Sequence, residues 1–229
     1  MSGPLLLVDT ATRHAVVGLA DEDGRLLAAA EWDSPHRHGE QLLSQLDRLF
    51  HEQGIRPADL AGIGVGIGPG SFTGLRIGLA TAKVIAHAVG SPIVGLLTTR
   101  LLAAAAAKKG ESVAVVLPAG SADRYVCRYR DGDELLAPQL LPGTQALSAL
   151  ERGDLVVAVD LAEDELGVSA AELGRRAQAG LAAALARAAA TEIRAGRWDD
   201  LAALVPTYVA LPRGLVSAEQ EAAWSPDLR

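Results

Sequence analysis

Apolar residues fall along this chain in two rhythms, and the alternation between them outlines the fold. Short uninterrupted apolar runs occur at Leu5 to Val8, Gly62 to Ile67, Ile93 to Leu96, Ser112 to Leu117 and Leu155 to Val159. Runs of that length without a polar break read as strands covered on both faces. His14 to Ala20 and Arg25 to Trp32 flank Asp21-Glu22-Asp23-Gly24, a turn that joins two strands into a hairpin. Arg124 to Arg130 and Glu134 to Leu141 form a similar pair in the second half. Between the strands the spacing becomes helical. Leu42, Leu43, Leu46, Leu49 and Phe50 mark a helix over Gly39 to Gln53, and Leu75, Leu79, Ala82, Ile85 and Ala86 mark another over Ser71 to Val89.

Further helices are predicted at Thr98 to Lys108, at Thr144 to Glu151, and through the Ala-, Leu- and Arg-rich stretch Ala170 to Gly196, with a break at Gly180. A short turn of helix is expected near Asp59, and Pro206-Thr207-Tyr208-Val209 reads as a closing strand. The order strand-strand-strand-helix-strand-helix, repeated more weakly, predicts an α/β chain of two duplicated lobes, each a mixed sheet flanked by helices. The boundary falls near Lys108 to Ser112, giving an N-terminal lobe over 1–109, a smaller C-terminal lobe over 110–216, and a flexible tail over 217–229.

Composition narrows the picture. Hydrophobic residues make up 49% of the chain and aromatic ones 3%, so a large core is available and is built from aliphatic side chains. A net charge of −7 argues against a broad electrostatic footprint for nucleic acid. The single cysteine, Cys127, excludes an internal disulfide and a cysteine-rich metal site, and it suits a reducing compartment. Leu5 to Val8 is too short for a signal segment and has no basic residues before it, and Leu101 to Ala107 is bounded by Arg100 and Lys108. The latter is far below the ~20 residues that cross a bilayer, so a soluble cytoplasmic protein with no membrane partner is expected.

The chemistry-bearing candidates cluster in the first hundred residues. Gly66-Ile67-Gly68-Pro69-Gly70-Ser71-Phe72-Thr73-Gly74-Leu75-Arg76-Ile77-Gly78 joins a predicted strand to a predicted helix. Ser71 or Thr73 is placed to cap that helix, and N–H groups exposed at a helix start attract anions. The same glycines also suit a tight turn with close helix packing. The loop is neither a Walker A sequence nor a dinucleotide fingerprint. Asp9 stands at the carboxyl end of the first strand, where open α/β sheets collect ligands, or it caps its own turn. His36, His38 and Glu40 lack the helical spacing of a metal site. Ser71 has no base beside it in sequence, Cys127 has no activating neighbour, and Arg76 and Lys83 face either an anion or solvent.

Leu7-Val8-Asp9-Thr10-Ala11-Thr12, His38 with Glu40-Gln41-Leu42-Leu43, and the run Gly68 to Gly78 resemble the TsaB (YeaZ) family of bacterial proteins. Members of that family are required for threonylcarbamoyladenosine formation at position 37 of tRNA. The likeness covers Leu5 to about Thr99 and returns only at Pro206-Thr207-Tyr208-Val209. It implies the actin-like, ribonuclease H-like two-lobed fold and kinship with TsaD, the paralogue that transfers the threonylcarbamoyl group. TsaD-like proteins carry a His-x-x-x-His metal site after the glycine-loop helix; here Thr98 and Leu102 stand at those places, and neither replaces imidazole. The family's Asp-Ala-Arg at the start of the second lobe is replaced by Pro118-Ala119-Gly120, and the strand end Val159-Asp160-Leu161 lacks phosphate-loop glycines.

The resemblance therefore implies a non-catalytic scaffold with no metal and no intrinsic cofactor, ATP or ADP entering only at a partner junction. Weak anion or nucleotide contact is assigned to Asp9, Thr10, Gly68, Gly70 and Ser71. In the family the two helices pack against the same pair of a partner, which assigns the interface to Leu42, Leu46, Gly74, Gly78, Leu79, Ala82, Ile85 and Ala86. The implied partners are a TsaD-like paralogue as heterodimer, a TsaE-like ATPase, a second copy of the chain when alone, and tRNA only through the complex. The alternative is a stand-alone actin-fold ATPase or a relative of M22-type glycopeptidases.

Overall fold

The computed structural model describes residues 3–33 and 38–209, with the side chains of 38–40 left aside. Strand β1 (Leu5–Asp9) is flanked by β2 (His14–Ala20), antiparallel, and by β4 (Gly62–Gly66), parallel. Strand β3 (Leu26–Asp33) adds antiparallel to β2, and β5 (Ile93–Leu96) parallel to β4. The sheet order is β3-β2-β1-β4-β5. A second sheet repeats the plan with β6 (Ser112–Ala119), β7 (Asp123–Arg130), β8 (Asp133–Pro142) and β9 (Leu155–Ala158), in the order β8-β7-β6-β9. Three antiparallel strands with a parallel strand added beyond the first, seen twice, are the duplicated lobes expected of the actin-like, ribonuclease H-like class.

The central strand β1 is buried on both faces, and its alternate residues enter different cores. Leu6 and Val8 join Val17 and Leu19 under α1 (His38–Gln53) and α2 (Phe72–Val89), with Leu42, Leu46, Leu49, Leu79 and Ala82 closing that layer. Leu5 and Leu7 point the other way, toward a core that continues into the second sheet through Val113, Val115, Leu117 and Val157. Helices α3 (Thr98–Ala106), α6 (Val168–Ala179) and α7 (Leu181–Arg194) fill the space there. Ala182, Ala186, Ala189 and Ala190 keep α7 thin enough to lie against β1, β2 and β4. Among the described residues the outer face of the second sheet carries α4 (Gly143–Ala146) and a small cluster around Val116, Val126 and Ala146, with α5 (Glu163–Leu166) nearby.

Two expectations are corrected, and one short helix was not anticipated. Pro206 to Val209 is not a strand: proline lacks the N–H for a ladder, and the segment meets the first sheet through the Thr207 N–H, which donates to the Ile67 carbonyl at 2.8 Å. The helix expected over Thr144 to Glu151 divides into α4 and a 3₁₀ turn at Leu147–Ala149. Helix α5 has no counterpart in the periodicity, being four residues long. The break at Gly180 is real, with that residue alone separating α6 from α7. Residues 210–229, including the tail expected from 217, and the pair His36 and His38 lie outside the described backbone or side chains. Among the described residues no helix is long and apolar enough to cross a membrane.

Candidate functional site

The turn that follows β1 and the glycine loop that follows β4 meet, and their contacts use up most of the polar groups on both sides. Asp9 is fully buried. Its Oδ1 accepts from the Ala11 N–H at 2.9 Å and its Oδ2 from the Thr98 hydroxyl at 2.8 Å. The Thr98 oxygen in turn accepts from the Gly68 N–H at 3.2 Å, and the Thr98 N–H donates to the Gly68 carbonyl at 2.9 Å. Burial pushes the Asp9 carboxyl up to about 6, while the Ala11 and Thr98 hydrogen bonds and the charge of His14 pull it back in part. A cis peptide joins Gly68 to Pro69.

The glycines of the loop are required by the chain itself. A Cβ at Gly66 would overlap the Asp9 carboxylate, at Gly70 the Ala11 carbonyl, at Gly74 the Thr10 carbonyl, and at Gly78 the Thr10 hydroxyl. Their function is close approach of loop and helix to the β1–β2 turn. The Ser71 N–H donates to the Ala11 carbonyl at 2.7 Å, Ser71 Oγ caps α2 by accepting from the Gly74 N–H at 3.2 Å, and the Thr10 hydroxyl donates to the Gly74 carbonyl at 2.7 Å. Thus Asp9, Thr10, Gly68, Gly70 and Ser71 lie close together, and Asp9, Thr10, Gly68 and Ser71 have Ala11, Gly74 and Thr98 of the chain itself as hydrogen-bond partners.

A cleft of about 410 Å³ lies beside this turn, lined by Arg13, Gly70, Ser71, Phe72, Pro118, Tyr125 and Asp160 among others. Asp160 ties its two walls. Sitting at φ 58°, it accepts from the Arg13 N–H at 2.7 Å and from Gln178 Nε2 at 3.1 Å. An internal carboxylate therefore holds a backbone donor of the first turn, where a phosphate of a cleft ligand would compete for it. The acid at that strand end was visible in the sequence; its left-handed backbone and its partner 147 residues away were not.

The places of the two metal-binding histidines do not fit a metal. Thr98 is engaged with Asp9 and Gly68, and Leu102 is buried in the core with Leu101 and Ala103. Cys127 lies in β7 with burial pushing its thiol up to about 12. Arg76 is exposed and Lys83 half-buried, and each has partners within the chain. Arg76 sits 4.0 Å over the Phe72 ring and donates through Nε to the Tyr208 hydroxyl, and Lys83 Nζ donates to the carbonyls of Ala202 and Leu204. Tyr208 also packs on Phe72 at 5.4 Å between ring centroids. These contacts fasten the segment 202–208 over the start of α2.

The residues assigned to a partner interface are corrected by their burial. Leu42, Leu46, Leu79, Ala82 and Ala86 lie in the chain's own core, and Gly74 and Gly78 press on the β1–β2 turn; only Ile85 keeps partial exposure. What the same helices present outward is Leu43, 64% exposed, and Val84, 68% exposed, with Ala80 and Ala88 beside Val84 on α2. Four-residue spacing of small side chains signals close approach, and here the neighbour is internal.

Comparison with known proteins assigns the lineage. The family model of TsaD, tRNA N6-adenosine threonylcarbamoyltransferase, matches residues 33–214. An uncharacterized protein of Mycobacterium tuberculosis is 29% identical over 212 residues, covering 91% of this chain and 92% of that one. A protein of Mycobacterium leprae, also uncharacterized, is 33% identical over 137 residues, and the match spans 58% of this chain and 37% of that protein. The tRNA threonylcarbamoyladenosine biosynthesis protein TsaB of Escherichia coli is 32% identical over 112 residues, 49% of this chain and 48% of TsaB. The solved structure of YeaZ from Pseudomonas aeruginosa superposes with a TM-score of 0.67 at 24% identity, covering 91% of this chain and all of that one, and shows the fold.

Proposed function

The chain belongs to the TsaD family of tRNA N6-adenosine threonylcarbamoyltransferases, and from that premise we propose that it works in threonylcarbamoyladenosine synthesis as a TsaB-like, non-catalytic subunit. The observation that carries this reading is the Asp9–Thr98–Gly68 closure. A carboxylate at the end of β1 is bonded to the chain's own backbone and hydroxyl, and the loop glycines face carbonyls instead of open space. In the adjoining cleft Ser71 caps α2 and Asp160 is bonded to Arg13 and Gln178.

A subunit of this kind acts by association. Its docking face is the outer side of α1 and α2, where Leu43 and Val84 are the large apolar residues left uncovered. A helix that is apolar on its inner face and carries Ala80, Val84 and Ala88 outside has two faces to bury. The partner is a TsaD-type transferase, with a TsaE-like ATPase joining the pair and tRNA reached only through the complex; alone, the chain pairs with a second copy through the same face. The nucleotide that serves the transfer reaction enters at the partner junction. The compartment is the cytoplasm, where the tRNA is modified.

Reconstitution tests this directly. The purified chain with tRNA and a threonylcarbamoyl donor should form no modified adenosine, and adding it to a TsaD-type transferase should raise the yield. Modification by the chain alone, or turnover of ATP with Mg²⁺ by the chain alone, would overturn the scaffold reading in favour of an enzyme.

A further inference from the structure

On the side of the first sheet opposite α1 and α2, two adjoining depressions flank the guanidinium of Arg100. One, of about 250 Å³, is lined by Arg100, Ala104, Lys108 and Lys109 together with Tyr129 and Gly132. The other, of about 410 Å³, continues past Arg100 along α7 to Arg187, over Leu97, Ala104, Ala184 and Ala188. The two share Arg100, Ala104 and Gly132 and so form one groove. A Cβ at Gly132, which has φ +87°, would stand 3.4 Å from Arg100 Nη2, so the β7–β8 turn passes directly beneath the guanidinium.

The carboxylates around the groove are already engaged. Glu111 accepts from the Lys108 N–H at 2.6 Å, Asp131 from the Gly110 N–H at 2.7 Å, and Glu192 holds Arg197 through both its oxygens at 2.7 and 3.2 Å. Among the described residues the side chains of Arg100, Lys108, Lys109 and Arg187 form no hydrogen bond or ion pair. Arg100 lies within the field of Glu192, and Glu111 and Asp131 keep their charge beside the lysines, so the groove sets four cations against three carboxylates over an alanine and leucine floor.

The geometry points to a binding groove for a small organic phosphate, its phosphoryl groups held by Arg100, Lys108 and Lys109 and its body lying on Leu97, Ala104, Ala184 and Ala188. Arginine and lysine together suit a phosphoryl group, one through a fixed fork and the other as a mobile point charge. Taken together the two depressions have the size of a small-molecule pocket. The net charge of −7 disfavours an extended polyanion such as tRNA.

Amide NMR of the isotopically labelled full chain, titrated with ADP, with inorganic pyrophosphate and with tRNA, tests the assignment. ADP should shift the Gly95, Ala104 and Gly132 resonances saturably, and pyrophosphate should do so about ten-fold more weakly because it lacks a body for the apolar floor. Arg100→Gln should weaken ADP by about ten-fold, as should the double change Lys108→Gln with Lys109→Gln, while Arg152→Gln on the exposed β9 approach leaves it unchanged. No saturable shift with ADP, pyrophosphate as tight as ADP, or stronger shifts from tRNA than from ADP would each overturn the proposal.

Discussion

The two lobes share a strand order and differ in how they close the turn beyond their first strand. In the first lobe the turn after β1 is sealed by packing: the loop glycines let α2 rest on the Thr10 and Ala11 carbonyls, and the buried Asp9 is bonded inward. Both turns border the same cleft, but in the second lobe the sheet is fastened by charge. Arg128 reaches from β7 to Asp154 at 2.8 Å and Glu151 at 2.5 Å, while Arg124 pairs with Glu165. One device recurs in both lobes, since Gly174 of α6 lies where a Cβ would overlap the Ala158 carbonyl. A common topology thus tolerates two ways of satisfying the same turn, and the sealed one belongs to the lobe that carries the exposed helical face.

The largest break in this comparison should come from Gly74→Val. The Thr10 carbonyl has no space to yield to a branched side chain, so a loss on the order of 4 kcal/mol is expected, read as a fall of ~8–16 °C in Tm. An unchanged Tm would mean that loop and turn are not packed as described.

Next in size is an opposite pH response of the two lobes' buried carboxylates. Asp9 has a folded pKa above its unfolded value, so its stabilising contribution is complete below about pH 4 and is lost as pH rises through about 6. Asp154 goes the other way. Burial raises it, but the Ser112 hydroxyl, the Glu151 N–H and Arg128 more than offset that and hold it below the usual range, so its contribution is present above about pH 4 and lost on further acidification. Asp9→Asn should flatten the stability profile between pH 4 and 7 by roughly 3 kcal/mol, measured by urea unfolding across that range. A profile that keeps its slope contradicts the buried-acid account.

Arg128→Met should cost about 2 kcal/mol at neutral pH by leaving Asp154 without its charge partner, and the cost should shrink in acid. Asp160→Ala removes the tie between cleft walls and should cost only about 1 kcal/mol, with faster amide exchange at Arg13 as its signature. Exchange at Arg13 unchanged in that variant would remove Asp160 from the comparison.

Much of the fold was legible because both cores are built on uninterrupted apolar runs and strict helical periodicity. β1, β4 and β6 show as runs because they are covered on both faces. The closing strand misled because Pro206-Thr207-Tyr208-Val209 has strand-forming residues but no ladder to join, its contacts being one backbone bond and the Tyr208 ring. The glycine loop named the lineage correctly. Periodicity also showed that α2 has an apolar face and small residues four apart, but not which neighbour each side meets. Gly74 and Gly78 meet a turn more than sixty residues earlier, a contact set by topology, and so Val84 and Leu43 had no reason to stand out over Leu79 and Leu42.

The central claim is that the outward side of α1 and α2 is the working surface. Titrating the chain with a TsaD-type transferase by calorimetry, and repeating it with Val84→Asp, tests that most directly. Val84 is exposed and touches neither the glycine loop nor either core, so the variant should fold with an unchanged Tm. The account predicts a one-to-one complex for the natural chain and affinity reduced by about a hundred-fold or more in the variant, since a desolvated carboxylate at an apolar contact costs about 3 kcal/mol or more. Equal affinity for the two proteins, or no complex with either, would contradict it.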